Sequence, residues 1–190
     1  MRNLIQGLVL LGCVASFSSL AMPLTDKVAT RKGDLDEILN ERVLRVLVVN
    51  DNANFYLNEG RQDGLHVSLM REFERWVNKR YYPQQKLKLN LVFLPVRHDQ
   101  LLPMLNAGKG DLVLANLSPT AERRQLVDFS IPDMTGLQEW LVSSDRTAPI
   151  QKLTDLAGKH VWVRKSSSYY ESLQTLNDML VSLHLEPVHI

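Results

Sequence analysis

A polar segment that follows an apolar run carries residue types suited to binding a carboxylate. Residues 111–115 predict a buried strand, and Asn116, Ser118 and Thr120 come directly after it. The short helix predicted next carries Arg123, whose guanidinium can hold a carboxylate through two parallel hydrogen bonds. The spacing leaves two interpretations open: an anion-binding loop, or a capped surface helix with solvated arginines.

A run of three serines is a second candidate for anion binding. Ser166, Ser167 and Ser168 precede a helix predicted over 168–183, and Glu171 follows Ser168 by three residues. That spacing is typical of a capping box, so we predict Ser168 as the N-cap of the helix. The free N–H groups at a helix start also attract anions, which makes the run suitable for one half of a binding site.

The sequence lacks the common patterns of enzymes and metal proteins. Its five histidines show neither an HExxH motif nor paired-ligand spacing, and Cys13 is the one cysteine. No nucleophile elbow or Walker loop is present, and Gly108-Lys109-Gly110 is typical of a helix end. We therefore expect no metal, no cofactor and no enzyme activity in this chain.

Composition favours an ordinary globular protein. Hydrophobic residues make up 45% of the 190 residues, enough to bury a core, and 22 basic side chains nearly balance 21 acidic ones. A net charge of +1 gives no field that would attract nucleic acid, so no nucleic-acid partner is expected.

The amino-terminal segment predicts export to the periplasm. Arg2 precedes an apolar stretch that is too short to span a membrane, and small residues end at Ala21. We predict a signal peptide over 1–21 and a polar tether over 22–33. The alternative is a lipobox that would make Cys13 the site of a lipid anchor.

Two lobes are predicted from the order of the elements. Strands over 44–49, 87–94 and 111–115 alternate with helices over 65–77 and 98–107, which is typical of an α/β lobe with a parallel sheet. This first lobe is predicted over 34–136. The long helix has one apolar face at helical spacing, formed by Leu65, Leu69, Phe73, Trp76 and Val77.

The second lobe is predicted over 137–190 and is expected to be incomplete. Its predicted elements are strands over 138–143 and 160–163, a helical turn over 153–156 and the helix over 168–183. Another strand is expected to begin over 186–190, where the sequence stops. An unpaired strand would leave apolar surface uncovered, so we expect a fragment or a truncated product.

Residues 44 to about 185 resemble the periplasmic solute-binding proteins of the amino-acid-binding type. The resemblance lies in LRVLVV, in GKGDLVLANLSPTAERRQLVDFSIP and in TDLAGKHVWVRKSSSYYESL. The last stretch is most similar to the solute-binding module of the membrane-bound lytic transglycosylase F group. The resemblance implies a two-lobed type II binding-protein fold that closes on a ligand.

The resemblance also implies roles for individual residues. Arg123 would pair with the α-carboxylate of the ligand, Asn116 would offer a backbone carbonyl to its amino group, and Ser118 would add a hydroxyl and an N–H. Ser167 and Ser168 would close on the ligand from the second lobe. The acidic residue that holds the amino group in the family would lie beyond residue 190.

An aromatic residue after the first strand stacks on the ligand in that family. Phe55 and Tyr56 both stand at this place, and we prefer Tyr56.

Three hypotheses follow for the function. The first is a non-enzymatic periplasmic module that binds an amino acid, a short peptide or a muropeptide, with an ABC transporter permease as a candidate partner. The second is the regulatory, ligand-sensing half of a peptidoglycan lytic transglycosylase, with a lyase domain as the partner. The third is a relic that neither folds well nor binds.

Overall fold

The computed structural model describes residues 29–190. The predicted signal peptide, Cys13 and residues 22–28 of the predicted tether lie outside this range. Within it, none of the helices combines the length and apolar character needed to cross a bilayer.

The described chain is built on a parallel sheet of three strands, β1 (Val43–Val48), β4 (Asn90–Pro95) and β5 (Leu112–Leu114). Their order in the sheet is β4-β1-β5, and a separate hairpin contains β2 (Tyr56–Asn58) and β3 (Arg61–Asp63). The helices are α1 (Leu35–Glu41), α2 (Leu65–Tyr81), α3 (Leu101–Asn106), α4 (Ala121–Arg124) and α5 (Ser168–Ser182). The three predicted strands of the first lobe are thus confirmed.

Strand β1 is the centre of the sheet and is buried on both faces. Val46, Leu47 and Val48 have no exposed surface. Because alternate side chains point to opposite faces, Val46 and Val48 join the cluster that contains Phe55, whereas Leu47 joins the cluster that contains Leu101. Burial on both faces explains why the strand reads as a continuous apolar run.

Charged groups are buried at the amino end of the sheet. The Asp111 carboxylate, with 3% of its side chain exposed, accepts hydrogen bonds from the Arg45 guanidinium at 2.6 and 3.1 Å and from the Arg45 backbone N–H at 2.8 Å. Arg31 also pairs with Asp111. Burial acts to raise the pKa of Asp111, but the hydrogen bonds from Arg45 and Arg31 outweigh it and hold the pKa below its usual range.

Helix α2 packs on the sheet through a different face from the one predicted. Val77 is buried as expected, but Leu65 is 67% exposed and Trp76 57% exposed. The buried residues are instead His66, Val67, Met70 and Val77. The remaining two residues of the predicted face, Leu69 and Phe73, are exposed as well. The prediction was wrong because α2 carries two neighbouring apolar arcs, and periodicity does not say which one meets the sheet.

The start and the end of α3 are explained by its proline and by the glycine that follows it. A 3-10 turn over His98–Gln100 leads into α3, and Pro103 lies in the first turn of α3, where a missing N–H is tolerated. Gly108 then adopts a φ of +70° and ends the helical segment, as predicted. The hairpin β2–β3 is not among the elements predicted from the sequence.

The second lobe has its own apolar cluster but not the predicted strands. Leu156, Leu176, Leu180 and Val188 form this cluster around α5. Residues 138–143 form no strand, because they are exposed throughout and no neighbouring strand pairs with them. Residues 160–163 and 186–190 form no regular strands, and their backbone pairing is an isolated parallel bridge between His160 and His189. The helical turn Leu153–Leu156 and helix α5 are confirmed.

We expect Asp111→Asn to lower the free energy of unfolding at pH 7 by about 3–5 kcal/mol, because it leaves buried arginine charge uncompensated. The folded-state pKa of Asp111 is depressed, so its contribution is complete above the unfolded pKa and is lost as the pH falls through the folded value. The gap between wild type and variant should therefore narrow below about pH 4. Urea denaturation between pH 7 and pH 3 measures both effects.

Glu72→Gln is the matched control for this experiment, because Glu72 pairs with Arg75 on the surface, where both side chains are more than two-thirds exposed. An exposed pair contributes little, so this variant should unfold near wild type. A wild-type urea midpoint for Asp111→Asn would contradict the structural role assigned to the network.

Candidate functional site

The candidate site lies at the carboxyl end of β5, at the opposite end of the sheet from Asp111. In an open parallel sheet, ligands bind beyond the carboxyl ends of the strands. Asn116 and Ser118 are exposed there, and the short helix α4 follows. Thr120 is the N-cap of α4 and accepts a hydrogen bond from the backbone N–H of Arg123 at 3.3 Å. This cap fixes the backbone from which the Arg123 side chain extends.

The guanidinium of Arg123 is buried and held by three groups. Its side chain is 7% exposed. Nη1 donates to the carbonyl oxygen of Ser118 at 3.3 Å, and Nη2 donates to the carbonyl oxygen of Ser166 at 2.9 Å. Nε donates to the Glu171 carboxylate at 3.0 Å. The solvated-arginine interpretation is thus wrong for Arg123, although the neighbouring Arg124 is exposed.

The serine run of the second lobe meets this site directly. Besides the Ser166 carbonyl on Arg123, the hydroxyl of Ser168 donates to the hydroxyl of Ser118 at 3.4 Å. Ser167 is 9% exposed, and its hydroxyl has no hydrogen-bond partner among the described residues. Four of the six residues predicted for the site therefore lie together: Ser118, Arg123, Ser167 and Ser168.

The start of α5 differs from the predicted capping box. Ser167 occupies the N-cap position, and its side chain makes no capping hydrogen bond. Ser168 is the first helical residue. Glu171 does not fold back on the helix start, because its carboxylate pairs with Arg123 instead. The prediction of Ser168 as the cap was therefore wrong by one residue.

His98 is a neighbour of the site that the sequence did not indicate. Its Nδ1 lies 3.4 Å from the hydroxyl of Ser166. Burial lowers the pKa of His98, and the positive charges of Arg164 and Arg123 lower it further. The imidazole is therefore neutral near pH 7 and adds no second positive charge beside Arg123.

Glu171 and Ser166 were also missed as contributors to the site. No local signal could have found the Glu171 contact, because its partner lies 48 residues away in the sequence. Ser166 contributes through its backbone carbonyl, a group that every residue type carries.

The two remaining predicted residues stand apart from this group. Tyr56 begins β2 and is partly exposed, whereas Phe55 is 1% exposed and packs against Phe93 with ring centroids 5.5 Å apart. Of these two aromatic residues, Tyr56 is therefore the one that is accessible to solvent. Within residues 29–190, no side-chain hydrogen bond or ring contact joins Tyr56 or Asn116 to the other four.

A groove between the lobes opens beside Arg123. It has a volume of about 270 Å³, and its polar lining includes His98, Glu122, Arg123, Lys165, Ser166 and Glu171. A larger depression, about 420 Å³, lies at the amino end of the sheet around Arg31, Gly108 and Asp111. We favour the smaller groove as the site, because it lies between the lobes beside Arg123, beyond the carboxyl end of β5, where ligands bind in an open parallel sheet.

The described residues do not form a metal centre. No group of three or more histidine, cysteine, aspartate or glutamate side chains within residues 29–190 is arranged to hold a metal ion. What the arrangement offers is a buried guanidinium, several hydroxyls and a neutral imidazole, which are groups that bind an anion such as a carboxylate.

Known proteins resemble this chain over 42% to 81% of its length. It is 28% identical to the membrane-bound lytic murein transglycosylase F of Idiomarina loihiensis over 81% of this chain and 32% of that protein. It is 35% identical to the arginine-binding extracellular protein ArtP of Bacillus subtilis over 42% of this chain and 30% of that protein. The chain thus spans about a third of the length of these relatives.

A solved structure with a similar fold is the ancestral amino acid-binding protein AncCDT-1, a precursor of cyclohexadienyl dehydratase. The TM-score is 0.58 at 26% identity, over 74% of this chain and 60% of that one. This likeness confirms the two-lobed α/β fold predicted from the sequence. The sequence model of one family, the bacterial extracellular solute-binding proteins, family 3, matches residues 44–186. Because this match covers most of the chain, the protein belongs to the bacterial extracellular solute-binding proteins, family 3.

Proposed function

We propose that this protein binds a small amino-acid-like solute between its two lobes, without enzyme activity, in the periplasm. The solute would be an amino acid, a short peptide or a muropeptide whose carboxylate pairs with Arg123. The observation that carries the proposal is the buried guanidinium of Arg123 at the carboxyl end of β5, in contact with the second lobe.

The polar groups around Arg123 suit such a ligand. A buried hydroxyl without a hydrogen-bond partner is uncommon in proteins. The hydroxyl of Ser167 is buried and has no such partner among the described residues. A ligand oxygen could accept its hydrogen bond and those of Ser118 and Ser168. Asn116 would offer its backbone carbonyl to the amino group, and Tyr56 would supply the aromatic face.

The relatives support amino acids as the ligand class. One relative is named as an arginine-binding extracellular protein, and the solved ancestral protein is named as amino acid-binding. Solute-binding proteins of this kind can deliver ligands to an ABC transporter permease, which we propose as a partner.

A second candidate function is the sensing module of a peptidoglycan lytic transglycosylase. The observation that favours it is the likeness to the lytic murein transglycosylase F of Idiomarina loihiensis, which extends over 81% of this chain. In that case the ligand would be a muropeptide, and the partner would be a lyase domain.

We expect Arg123→Ala to weaken binding of the solute by about 10- to 100-fold, because a charge-assisted hydrogen bond in a buried site contributes about 1.5–3 kcal/mol. Calorimetric titration of the wild-type protein and the variant with the common amino acids and with N-acetylmuramyl dipeptide measures the change and separates the two candidate functions.

Arg124→Ala is the matched control, since Arg124 has the same charge on the same helix but is exposed and lies over the ring of Phe129. Its affinity should equal that of wild type. Equal affinities for all three proteins would contradict the role of Arg123, and the absence of any binding by wild type would refute the proposed function.

We also expect the chain to release no soluble muropeptides from purified peptidoglycan sacculi, because a binding module holds its ligand without cleaving it. Chromatography of the supernatant after incubation measures release, with a muramidase as the positive control. Release above the buffer blank would show a catalytic function and would contradict the proposal.

A further inference from the structure

The contacts of Arg123 differ in kind from one another. Two of its partners are the backbone carbonyls of Ser118 and Ser166, which are neutral and fixed by the chain. The third is the Glu171 carboxylate, which carries a full negative charge. Among residues 29–190, Glu171 is the one carboxylate within salt-bridge distance of Arg123. It therefore holds the position that the proposed function gives to the carboxylate of the solute.

The pair also joins the two lobes. Arg123 belongs to α4 in the first lobe, whereas Glu171 belongs to α5 in the second. The other described polar contacts between side chains of the two lobes are uncharged and longer. They join Ser168 to Ser118 and His98 to Ser166, each at 3.4 Å. The 2.9 Å bond from Arg123 to the Ser166 carbonyl involves the same guanidinium. Arg123 is thus the main polar connection between the lobes, and Glu171 is its negatively charged partner.

Glu171 is placed so that it can leave. Its side chain is 23% exposed, against 7% for Arg123, and it lines the groove beside the guanidinium. A carboxylate at the edge of a groove can return to water at lower cost than a buried guanidinium, which stays anchored by two carbonyls. Two carboxylates on the same edge of one guanidinium would repel each other, so the site accepts one at a time.

We infer that Glu171 is an internal carboxylate that holds the lobes together through Arg123 in the ligand-free protein and that a solute carboxylate must displace. This inference rests on the proposed function. It makes Glu171 a specificity-determining residue: a solute must offer Arg123 a carboxylate together with further contacts, because a carboxylate alone only replaces one that is already present. A zwitterionic solute has an advantage, since its cationic group can pair with the released Glu171. A simple monocarboxylate such as acetate has no such group.

The test uses Glu171→Gln in the full chain, which keeps the shape of the side chain and removes its charge. Without the charge, the ligand-free lobes should separate more often, and small-angle X-ray scattering should give a larger radius of gyration than for wild type. In calorimetric titrations the variant should bind acetate more tightly by about 5- to 10-fold. The gain should be smaller for L-arginine, whose cationic groups lose the Glu171 charge as a partner.

Glu139→Gln is the control, because Glu139 also contacts α5, through the hydroxyl of Ser172 at 3.1 Å, but does not contact Arg123. It should match wild type in both measurements. A thermal melt of each variant verifies that the protein is folded before the comparison is made.

The outcomes separate this inference from the proposed function. If Glu171→Gln matches wild type in radius of gyration, the inference is overturned whether or not any solute binds. If the lobes separate but the affinity for acetate stays at the wild-type value, displacement is overturned and Glu171 is a structural contact. If neither protein binds an amino acid or a muropeptide, the proposed function fails, and the displacement role fails with it.

Discussion

The structure depends on the parallel pairing of β1 with both β4 and β5. Because β1 is central, its residues are removed from water on both faces and along both edges. In a parallel sheet the carboxyl ends of all strands lie at the same end of the sheet, so the chain leaves β5 at the same end at which it leaves β1. The loop that carries Asn116, Ser118 and Arg123 therefore lies at this end as a consequence of the topology.

Buried charge is treated differently at the two ends of this sheet. At the amino end, Asp111 is surrounded by Arg45 and Arg31 and is almost fully buried, which suits a permanent structural role. At the carboxyl end, Arg123 has one charged partner among residues 29–190, and that partner lies in the other lobe at the edge of a groove. An ion pair that crosses a groove can be exchanged for a ligand, whereas one enclosed within a lobe cannot.

The amino-acid sequence predicted those parts of the fold in which the local pattern of apolar residues agrees with their burial. The apolar run of β1 is buried as predicted, and α5 keeps Leu176 and Leu180 in its cluster. The run of β5 forms a strand as predicted but is only partly buried, with Leu112 37% exposed, because β5 pairs with β1 along one edge only. The hairpin β2–β3 was missed because its residues are mostly exposed and show no apolar alternation. Residues 138–143 have the composition of a strand, but a strand needs a partner, and composition does not supply one.

The site could be predicted in part for a related reason. Arg123 and the serines stand at element ends, which sequence can locate, so four predicted residues do lie together. The role of Glu171 depends on where α5 begins. With Ser168 as the N-cap, Glu171 would be the third helical residue and would turn back to the helix start. The observed cap is Ser167, which makes Tyr170 the third residue and Glu171 the fourth. That shift of one residue removes Glu171 from the capping position and leaves its carboxylate for Arg123.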